Sequence, residues 1–290
     1  MTGTERVIYE HVEAKRMLHY LNVRSLPFRW GANTYRGCEH DCTYCNARYT
    51  HEYLDLPAEE FSHKIIVKDN AAEAMDKEFS KPRWGRGSVN LATVTDPYQP
   101  AESRFNITRQ VLGVFLRHHN PLMLTTKSTL VLRDLDILAD IARTGFLNVV
   151  ITLPALDETL RRVLEPRAPS IEERLQAIRT IHEAGITVGV AAIPLLPHIS
   201  DSQEQVESLV KTVASVGADY VIADALNFRG EARARFMEFL RDYDPNLIPK
   251  YEELYQTSYC DREYAKTLRR SARAVIRKHH VDNYEKMRLR

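Results

Sequence analysis

The stretch "YRGCEHDCTYCNARYTHEY", residues 35–53, contains three of the four cysteines of this 290-residue chain. Cys38, Cys42 and Cys45 follow one another with three and then two residues between them, whereas the fourth cysteine, Cys260, lies far along the chain. Thiolates at such short spacing can surround one inorganic centre, and they are soft ligands suited to iron–sulfur clusters, zinc or copper(I). The stretch therefore predicts a metal centre carried by a single loop.

Two kinds of metal centre are compatible with three cysteines. A structural zinc site takes four ligands, so His40 or His51 would have to complete it. A cubane iron–sulfur cluster normally takes four cysteines, so three would leave one iron open, which is typical of a catalytic site. Three unrelated buried cysteines are the remaining interpretation, and the short spacing argues against it.

Composition and charge are those of an ordinary globular protein. Hydrophobic residues make up 44% of the sequence and the formal net charge is +1, so no overall field demands a nucleic acid or a membrane. No apolar run is long enough to span a bilayer, and residues 1–18 lack the apolar core of a signal peptide. We therefore expect a cytoplasmic protein, in a compartment where clustered cysteines more often bind metal than form disulfides.

Short apolar runs alternate with amphipathic helices along most of the chain. The runs predicted as strands are residues 30–35, 89–94, 122–126, 148–153, 187–193 and 220–224. Ser170 and Glu173 form a capping-box pattern before a helix that ends at Gly185, and two further apolar stripes end at Gly145 and Gly217. About six strand–helix units predict an α/β fold with a parallel barrel, complete or partial, and a doubly wound open sheet is the alternative.

The strand pattern stops near Asn227, and a polar, helical segment follows. We divide the chain into an N-terminal extension (1–28), a partial barrel (29–229) and a helical C-terminal extension (230–290). In parallel α/β barrels the active site lies at the carboxyl ends of the strands. Polar residues that follow the predicted strands are Asp96, Lys127, Ser128, Thr152 and residues 194–198. We expect them to converge with the cysteines on one mouth of the barrel.

The segment "CEHDCTYC", residues 38–45, resembles the signature of the radical S-adenosylmethionine (radical SAM) superfamily, in which an aromatic residue, here Tyr44, precedes the last cysteine. The segments "TDPYQPAE", "TTKS" and "LEPRAPS" make the chain similar to the spore photoproduct lyase-like group, also called DNA repair photolyase-like proteins. The resemblance covers residues 29–229 and implies a partial barrel of six units.

The resemblance also implies a chemistry. Cys38, Cys42 and Cys45 would bind three irons of a [4Fe–4S] cluster, and the fourth iron would bind the amino and carboxylate groups of S-adenosylmethionine. One electron, from a donor such as a flavodoxin or ferredoxin, would cleave the sulfonium bond. The resulting 5′-deoxyadenosyl radical would abstract a hydrogen atom from the substrate, while the protein binds, orients and excludes water.

For several residues the sequence allows two interpretations, contact with the cofactor or an ordinary structural role. Tyr44 would pack near the adenine, or be a plain core aromatic. Asp96 would hold the ribose or the ammonium of the cofactor, or form a turn before a proline. The chain lacks the Gly-Gly-Glu segment of many superfamily members, which leaves the amino-group contact open. Lys127 would meet the cofactor carboxylate, or lie on the surface at a strand end.

Four further residues are weighed in the same way. Ser128 could bind the cofactor or cap the next helix. Thr152 could donate to the cofactor carboxylate or be a β-branched strand residue. Glu165 and Arg167 could pair with each other or reach the cofactor.

The chain departs from the spore photoproduct lyase pattern in one respect. Those enzymes use an extra cysteine, a few dozen residues past the cluster, to return a hydrogen atom to the substrate radical, and this chain has none there. Cys260 could return to the barrel mouth, or Tyr49, Tyr53 or Tyr98 could carry the radical. The reaction could also differ, and Cys260 could be a plain buried thiol.

The substrate class is suggested by the C-terminal segment. Residues 261–290 contain ten Lys or Arg against four Asp or Glu, a basic excess that could neutralise phosphates or simply be a solvated helix face. A nucleic acid is the leading substrate class, with a peptide or small molecule as the alternative. A non-catalytic zinc-binding protein is the hypothesis from a different class.

Overall fold

The computed structural model describes residues 6–23 and 26–287. Its strands are β1 Ile8–Val12, β2 His19–Tyr20, β3 Trp30–Ala32, β4 Tyr35–Arg36, β5 Lys64–Lys68, β6 Val89–Leu91, β7 Leu122–Thr126, β8 Leu147–Thr152, β9 Val188–Leu195 and β10 Tyr220–Ala225. Its helices are α1 Ala71–Phe79, α2 Pro100–Phe105, α3 Ile107–His118, α4 Leu135–Thr144, α5 Glu158–Leu164, α6 Ile171–Glu183, α7 Gln203–Ser215, α8 Ala232–Tyr243, α9 Ile248–Leu254 and α10 Arg262–Lys278.

The main sheet is an open, mostly parallel one. In the described part of the chain its order is β10-β9-β8-β7-β6-β3-β2, and β3, β6, β7, β8, β9 and β10 run parallel to one another. β2 pairs antiparallel with β3 at one edge and β10 forms the other edge, so the strands do not close into a full barrel. The predicted partial barrel of six parallel β/α units is confirmed.

Hydrophobic periodicity accounts for most of these elements. All six residues of β8 are buried, as expected for a parallel strand covered on both faces. The helix α6 begins with the predicted capping box of Ser170 and Glu173, and Gly185 just after it adopts a φ of +73°. A second capping box, of Ser202 and Gln205, begins α7. The local signals for helix starts and stops therefore agree with the observed fold.

The second predicted strand is shorter than expected. It was predicted over 89–94, but β6 ends at Leu91 because Ala92 has a φ of +100°, outside the β region. The side-chain oxygen of Asn33 accepts hydrogen bonds from the backbone N–H groups of Thr93 and Val94, at 2.9 and 3.0 Å. These bonds replace the ladder bonds that a longer strand would have made.

A small second sheet supports the cysteine loop. Its order is β1-β5-β4, and β1 and β5 were not predicted. The strand predicted over 30–35 is divided between β3 in the main sheet and β4 in this one. The chain leaves β4 at Gly37, whose φ is +85° and where an added Cβ would lie 2.8 Å from the carbonyl oxygen of Phe61. A residue with a side chain would be strained there, so this glycine lets the loop turn back over the barrel.

The segment after residue 230 is helical, as predicted, and consists of α8, α9 and α10. It is tied to the barrel by a backbone bond from Val221 in β10 to Val281, at 2.9 Å. The division at 1–28, 29–229 and 230–290 stays a prediction. No helix in the described ranges has both the length and the apolarity to cross a membrane.

Candidate active site

The three clustered cysteines lie at the carboxyl ends of the parallel strands. Cys38 and Cys42 are buried and Cys45 is partly exposed, and all three line a cavity of about 350 Å³. Strand-end residues that line the same cavity are Thr93, Asp96, Thr126, Lys127, Thr152, Pro194 and Asn227. Four of these, Asp96, Lys127, Thr152 and Pro194, were expected there from the sequence. Tyr44 lines the cavity as well, so the structure brings all five residues to one mouth of the barrel.

The electrostatics of the thiols bear on what they can bind. Burial raises the pKa of Cys38, and the charges of Asp96, Cys42 and Cys45 raise it further. Burial likewise raises the pKa of Cys42 to about 12, against the lowering effect of Lys127. Without a metal these thiols stay protonated, and a bound cation would convert them to thiolates. Because Cys42 and Cys45 both act on Cys38, the three thiols are neighbours on one wall of the cavity.

The donor set fits a cluster with several irons better than a single zinc ion. In the described ranges, no group of three or more His, Cys, Asp or Glu side chains is gathered tightly enough to hold one metal ion. His51 uses its Nε2 on the backbone oxygen of Lys64, at 2.9 Å. His40 lies at the cavity wall with its Nδ1 3.3 Å from Asp96 Oδ2. Three soft thiols with no fourth cysteine in the cavity lining leave one position of a cubane cluster open.

Gln99 clamps the cysteine loop on both sides of Cys38. Its side chain is fully buried, its Nε2 donates to the Gly37 carbonyl at 3.0 Å, and its Oε1 accepts from the Glu39 backbone N–H at 2.9 Å. The sequence analysis did not single out this residue. Its place in "TDPYQPAE", just after a strand end, was the available signal.

A buried ionic cluster lies behind Cys42. The Tyr44 hydroxyl donates to Glu165 Oε1, and Arg174 pairs with Glu165 Oε2 at 2.5 Å. Arg174 is 0% exposed and Glu165 1% exposed. Burial alone would raise the pKa of Glu165, but Arg174, Lys127 and the Tyr44 hydroxyl hold it below the usual value. The carboxylate is therefore ionised and is a counter-charge that Arg174 and Lys127 share.

Arg174 was missed by the sequence analysis, although a signal existed. It lies on α6 three residues after Ile171 and four before Ile178, so a charge occupies the apolar stripe. Its Nη1 donates to the Thr152 carbonyl at 3.1 Å and its Nε to the Pro169 carbonyl at 3.0 Å. A buried charge on an apolar face needs such partners.

Lys127 brings a cation to the cavity. Its Nζ lies 3.9 Å from Glu165 Oε1 and 5.7 Å from the centre of the Tyr44 ring. Burial lowers the pKa of Lys127, but Cys42 and Glu165 raise it by more, so the side chain stays protonated. The cavity wall thus presents one ammonium group next to the cysteines.

Asp96 is held by donors from its own surroundings. Its carboxylate accepts from Thr126 Oγ1 at 2.6 Å and from the backbone N–H groups of Tyr98 and Lys127 at 2.9 and 2.8 Å. Burial alone would raise its pKa, but the charge and hydrogen bond of His40, with these donors, hold the pKa at about 2. Asp96 therefore organises the turn after β6 and presents a fixed negative charge to the cavity.

Five predicted site residues lie outside the cavity lining: Ser128, Tyr98, Arg167, Glu165 and Cys260. Ser128 accepts from the backbone N–H of Leu130 at 3.2 Å, so it caps the 3₁₀ turn that follows β7. Tyr98 is fully buried and donates to Asp134 at 3.0 Å. Arg167 lies 3.3 Å from His63 Nε2.

The other predicted residues are placed as follows. Glu165 pairs with Arg174 and Lys127, not with Arg167, so the expected Glu165–Arg167 pair is replaced by a different one. Cys260 is buried one residue behind the cavity wall, because its backbone N–H donates to Asn227 Oδ1 at 3.3 Å. Burial raises the pKa of the Cys260 thiol. The remaining two candidates, Tyr49 and Tyr53, line a neighbouring groove.

The sequence of this chain is similar to a known family and to proteins of other organisms. A family model described as the radical SAM superfamily matches residues 32–211. An uncharacterized protein of Mycobacterium tuberculosis is 37% identical over 278 residues, which is 95% of this chain and 82% of that protein. An uncharacterized protein of Methanocaldococcus jannaschii is 30% identical over 229 residues, 77% of each chain.

Solved structures show the same fold. A mutant of spore photoproduct lyase superposes with a TM-score of 0.70 at 16% identity, over 93% of this chain and 79% of that one. Another mutant, solved with bound AdoMet and dinucleoside spore photoproduct, gives a TM-score of 0.68 at 16% identity, over 90% and 76% of the two chains. These likenesses concern the fold. With the family model covering more than half of the sequence, the chain belongs to the radical SAM superfamily.

Proposed function

We propose that this protein is a radical SAM enzyme that holds a [4Fe–4S] cluster on Cys38, Cys42 and Cys45 and uses S-adenosylmethionine to take a hydrogen atom from a substrate. When bound, the cluster and S-adenosylmethionine supply one-electron chemistry that yields a 5′-deoxyadenosyl radical. One observation carries the proposal: three thiols from one loop share a cavity at the parallel strand ends with a single ammonium group, that of Lys127.

The chain's own residues would bind and orient S-adenosylmethionine. Lys127 is a cation in a mostly buried wall, where a carboxylate would be its natural partner. Thr152, at the end of β8, faces the same cavity and could donate a hydrogen bond. Tyr44 has its hydroxyl tied to Glu165, so its ring is fixed as part of the wall. Glu165 and Arg174 hold these groups from behind, without entering the cavity.

Asp96 and His40 would deal with positive charge. The Asp96 carboxylate is ionised and lies beside His40, and both residues line the cavity that Lys127 also lines. An amino group or a ribose hydroxyl could approach it. Apolar residues such as Phe61, Ile193 and Leu226 also line the cavity, and a bound cofactor and substrate would displace water from beside them.

The later steps need a hydrogen-atom donor and a reductant. Cys260 contacts Asn227, a residue of the cavity wall, through its backbone N–H, and its thiol is one candidate for the hydrogen-atom donor. Tyr98, Tyr49 and Tyr53 remain candidates. We propose a one-electron donor such as a flavodoxin or ferredoxin, a cytoplasmic location, and nucleic acid as the leading substrate class, with a lyase-like reaction to be tested first.

The test is anaerobic reconstitution with iron and sulfide, reduction with dithionite, and an assay for 5′-deoxyadenosine after addition of S-adenosylmethionine. Cys42→Ala should make none, and His51→Ala should retain cluster and activity because His51 faces Lys64 and not the cavity. A fully loaded and reducible cluster that makes no deoxyadenosine would contradict the proposal. So would tight zinc binding that is lost in His40→Ala or in His51→Ala.

A further inference from the structure

A second cavity, of about 810 Å³, borders the first one. Thr93 and Val94 line both, so the two spaces are neighbours across the end of β6. We call the second cavity the basic groove. Its cationic lining residues are Arg16, Arg36, Lys68 and Arg229, and in the described ranges no Asp or Glu lines it. Nothing in the proposed cofactor chemistry uses these cations.

Three of the cations have no acidic partner at ion-pair distance in the described part of the chain. Arg36 donates through Nη1 to the Thr50 carbonyl at 3.3 Å. Lys68 donates through Nζ to the Asn33 carbonyl at 2.8 Å. Burial, together with the neighbouring charge of Arg36, lowers the pKa of Lys68 to about 8. Two cations held together without a counter-charge favour an anionic ligand.

The outer cations differ from one another. Arg229 is exposed and lies over the ring of Tyr49, 5.9 Å from its centre. Arg16 is paired with Glu78 at 3.6 Å, so its charge already has a partner. The carboxylate of Glu52 lies close to Gly230, the residue after Arg229, since a Cβ added to Gly230 would be 3.1 Å from Glu52 Oε1. Glu52 does not line the groove.

Aromatic rings accompany the cations at the rim. Tyr53 is 71% exposed and Tyr20 59% exposed, although tyrosine usually buries its ring. Tyr49 packs edge-on against Tyr53 at 5.7 Å, and Trp30 packs edge-on against Tyr20 at 5.3 Å. Each exposed ring is thus held in place by a second one. Fixed rings beside cations are the pattern by which proteins bind single-stranded nucleic acid.

Part of the basic groove lies outside the region shared with the superfamily model. That model matches residues 32–211, whereas Tyr20, Trp30 and Arg229 come from the flanking segments. The N-terminal segment contributes through β2, which adds Tyr20 at the sheet edge. The groove is therefore a feature of this chain's own extensions as well as of its barrel.

We propose that the basic groove binds a single strand of nucleic acid, with phosphates on Arg36, Lys68 and Arg229 and bases stacked on Tyr53 and Tyr20. A single strand is specified because Lys68 is only partly exposed and because stacking on the rings needs unstacked bases. The strand would lead a nucleotide past Val94 towards the cysteine-lined cavity. The idea that this strand is the substrate rests on the proposed function. The binding of the strand to the groove is independent of that function.

Binding is measured directly, on anaerobically reconstituted protein, by fluorescence anisotropy. The probes are far-red-labelled oligo-dT and oligo-U of about 12 nucleotides, a duplex of the same length, and polyglutamate as competitor. For a single strand, the logarithm of the association constant falls by about 0.7 per phosphate contact for each unit of log salt concentration. With three phosphate contacts, affinity should therefore fall about 20-fold between about 50 and about 200 mM salt. The two oligonucleotides decide between DNA and RNA as the source.

The variants separate a groove from a general charge effect. Arg36→Gln with Arg229→Gln should reduce the salt slope by about 1.4. The control, Arg143→Gln with Arg162→Gln, removes two exposed cations outside the groove and should bind like the wild type. Tyr53→Ala should weaken binding about 10-fold, in the range for loss of one stacked base. Its control, Phe146→Ala, changes an exposed ring at the start of β8 and should not.

The outcomes distinguish the two proposals. Strand binding that is lost in the groove variants and kept in the controls supports the groove, even if the wild type makes no deoxyadenosine. Equal binding by all variants, a tighter duplex, or full competition by polyglutamate overturns the groove. Deoxyadenosine formation by a protein that binds no strand leaves the radical SAM activity standing and refutes this groove alone.

Discussion

The buried carboxylate of Glu165 should be a main support of the cavity wall. In Glu165→Gln the shape of the side chain is kept and its charge is removed. Arg174, which is 0% exposed, and Lys127 then lose the counter-charge that they share. The Tyr44 hydroxyl keeps an oxygen to donate to, so the loss is chiefly electrostatic.

The magnitude can be worked from the distances. Lys127 Nζ lies 3.9 Å from Glu165 Oε1, and at an effective dielectric constant of about 20 that pair interacts by about 4 kcal/mol. Breaking a buried pair by removing one partner costs about 3–5 kcal/mol, because the other charge is left buried and uncompensated. At about 2 °C per kcal/mol for a chain of this size, Tm should fall by about 6–10 °C.

The assay is thermal and denaturant unfolding of the metal-free, reduced protein, followed by circular dichroism. The matched control is Glu263→Gln, which removes a carboxylate 72% exposed and paired with Lys266 at 3.2 Å; such a pair is worth at most about 1 kcal/mol. Glu165→Gln combined with Arg174→Met should recover part of the loss, because one stranded cation is gone. Equal losses for Glu165→Gln and Glu263→Gln would refute the reasoning.

Three further predictions concern other parts of the molecule. Lys127→Met should weaken S-adenosylmethionine binding by the reconstituted protein about 10- to 100-fold in calorimetry, since a hydrogen bond to a charged group is lost. Asp96→Asn should lose about 2 kcal/mol of stability at neutral pH, because the folded pKa of Asp96 is about 2 against an ordinary 3.8. This contribution is present above pH 3.8 and disappears as the pH falls towards 2. The difference in unfolding free energy between the wild type and the variant should therefore narrow in acid titrations. Ser170→Ala should cost about 1 kcal/mol in denaturant unfolding through loss of the α6 capping box.

Each of these predictions has an opposing result. Unchanged cofactor affinity in Lys127→Met would exclude a charged contact with the cofactor. A gap between wild type and Asp96→Asn that stays constant down to pH 2 would show that the carboxylate charge does not stabilise the fold. Full stability of Ser170→Ala would mean that tertiary contacts alone hold the start of α6.

Features that depend on near neighbours in the chain could be predicted from the sequence. The spacing of Cys38, Cys42 and Cys45 is one of these, because the thiols share a loop and need no distant partner. The buried strands are another, since continuous apolar runs have few alternatives to a covered parallel sheet. The helix start at Ser170 is local too, because capping uses a backbone group only three residues away.

Contacts between elements that lie far apart in the chain could not be predicted in this way, because they depend on how the elements pack. Tyr44 and Glu165 are separated by 121 residues, yet their side chains meet behind the cavity. Whether a strand-end residue faces the cavity depends on the twist and register of the sheet, so Lys127 lines it while Ser128, the next residue, caps a turn. Arg174 could be placed only when α6 was packed onto β8, because a buried charge is defined by its partners and not by its neighbours in sequence.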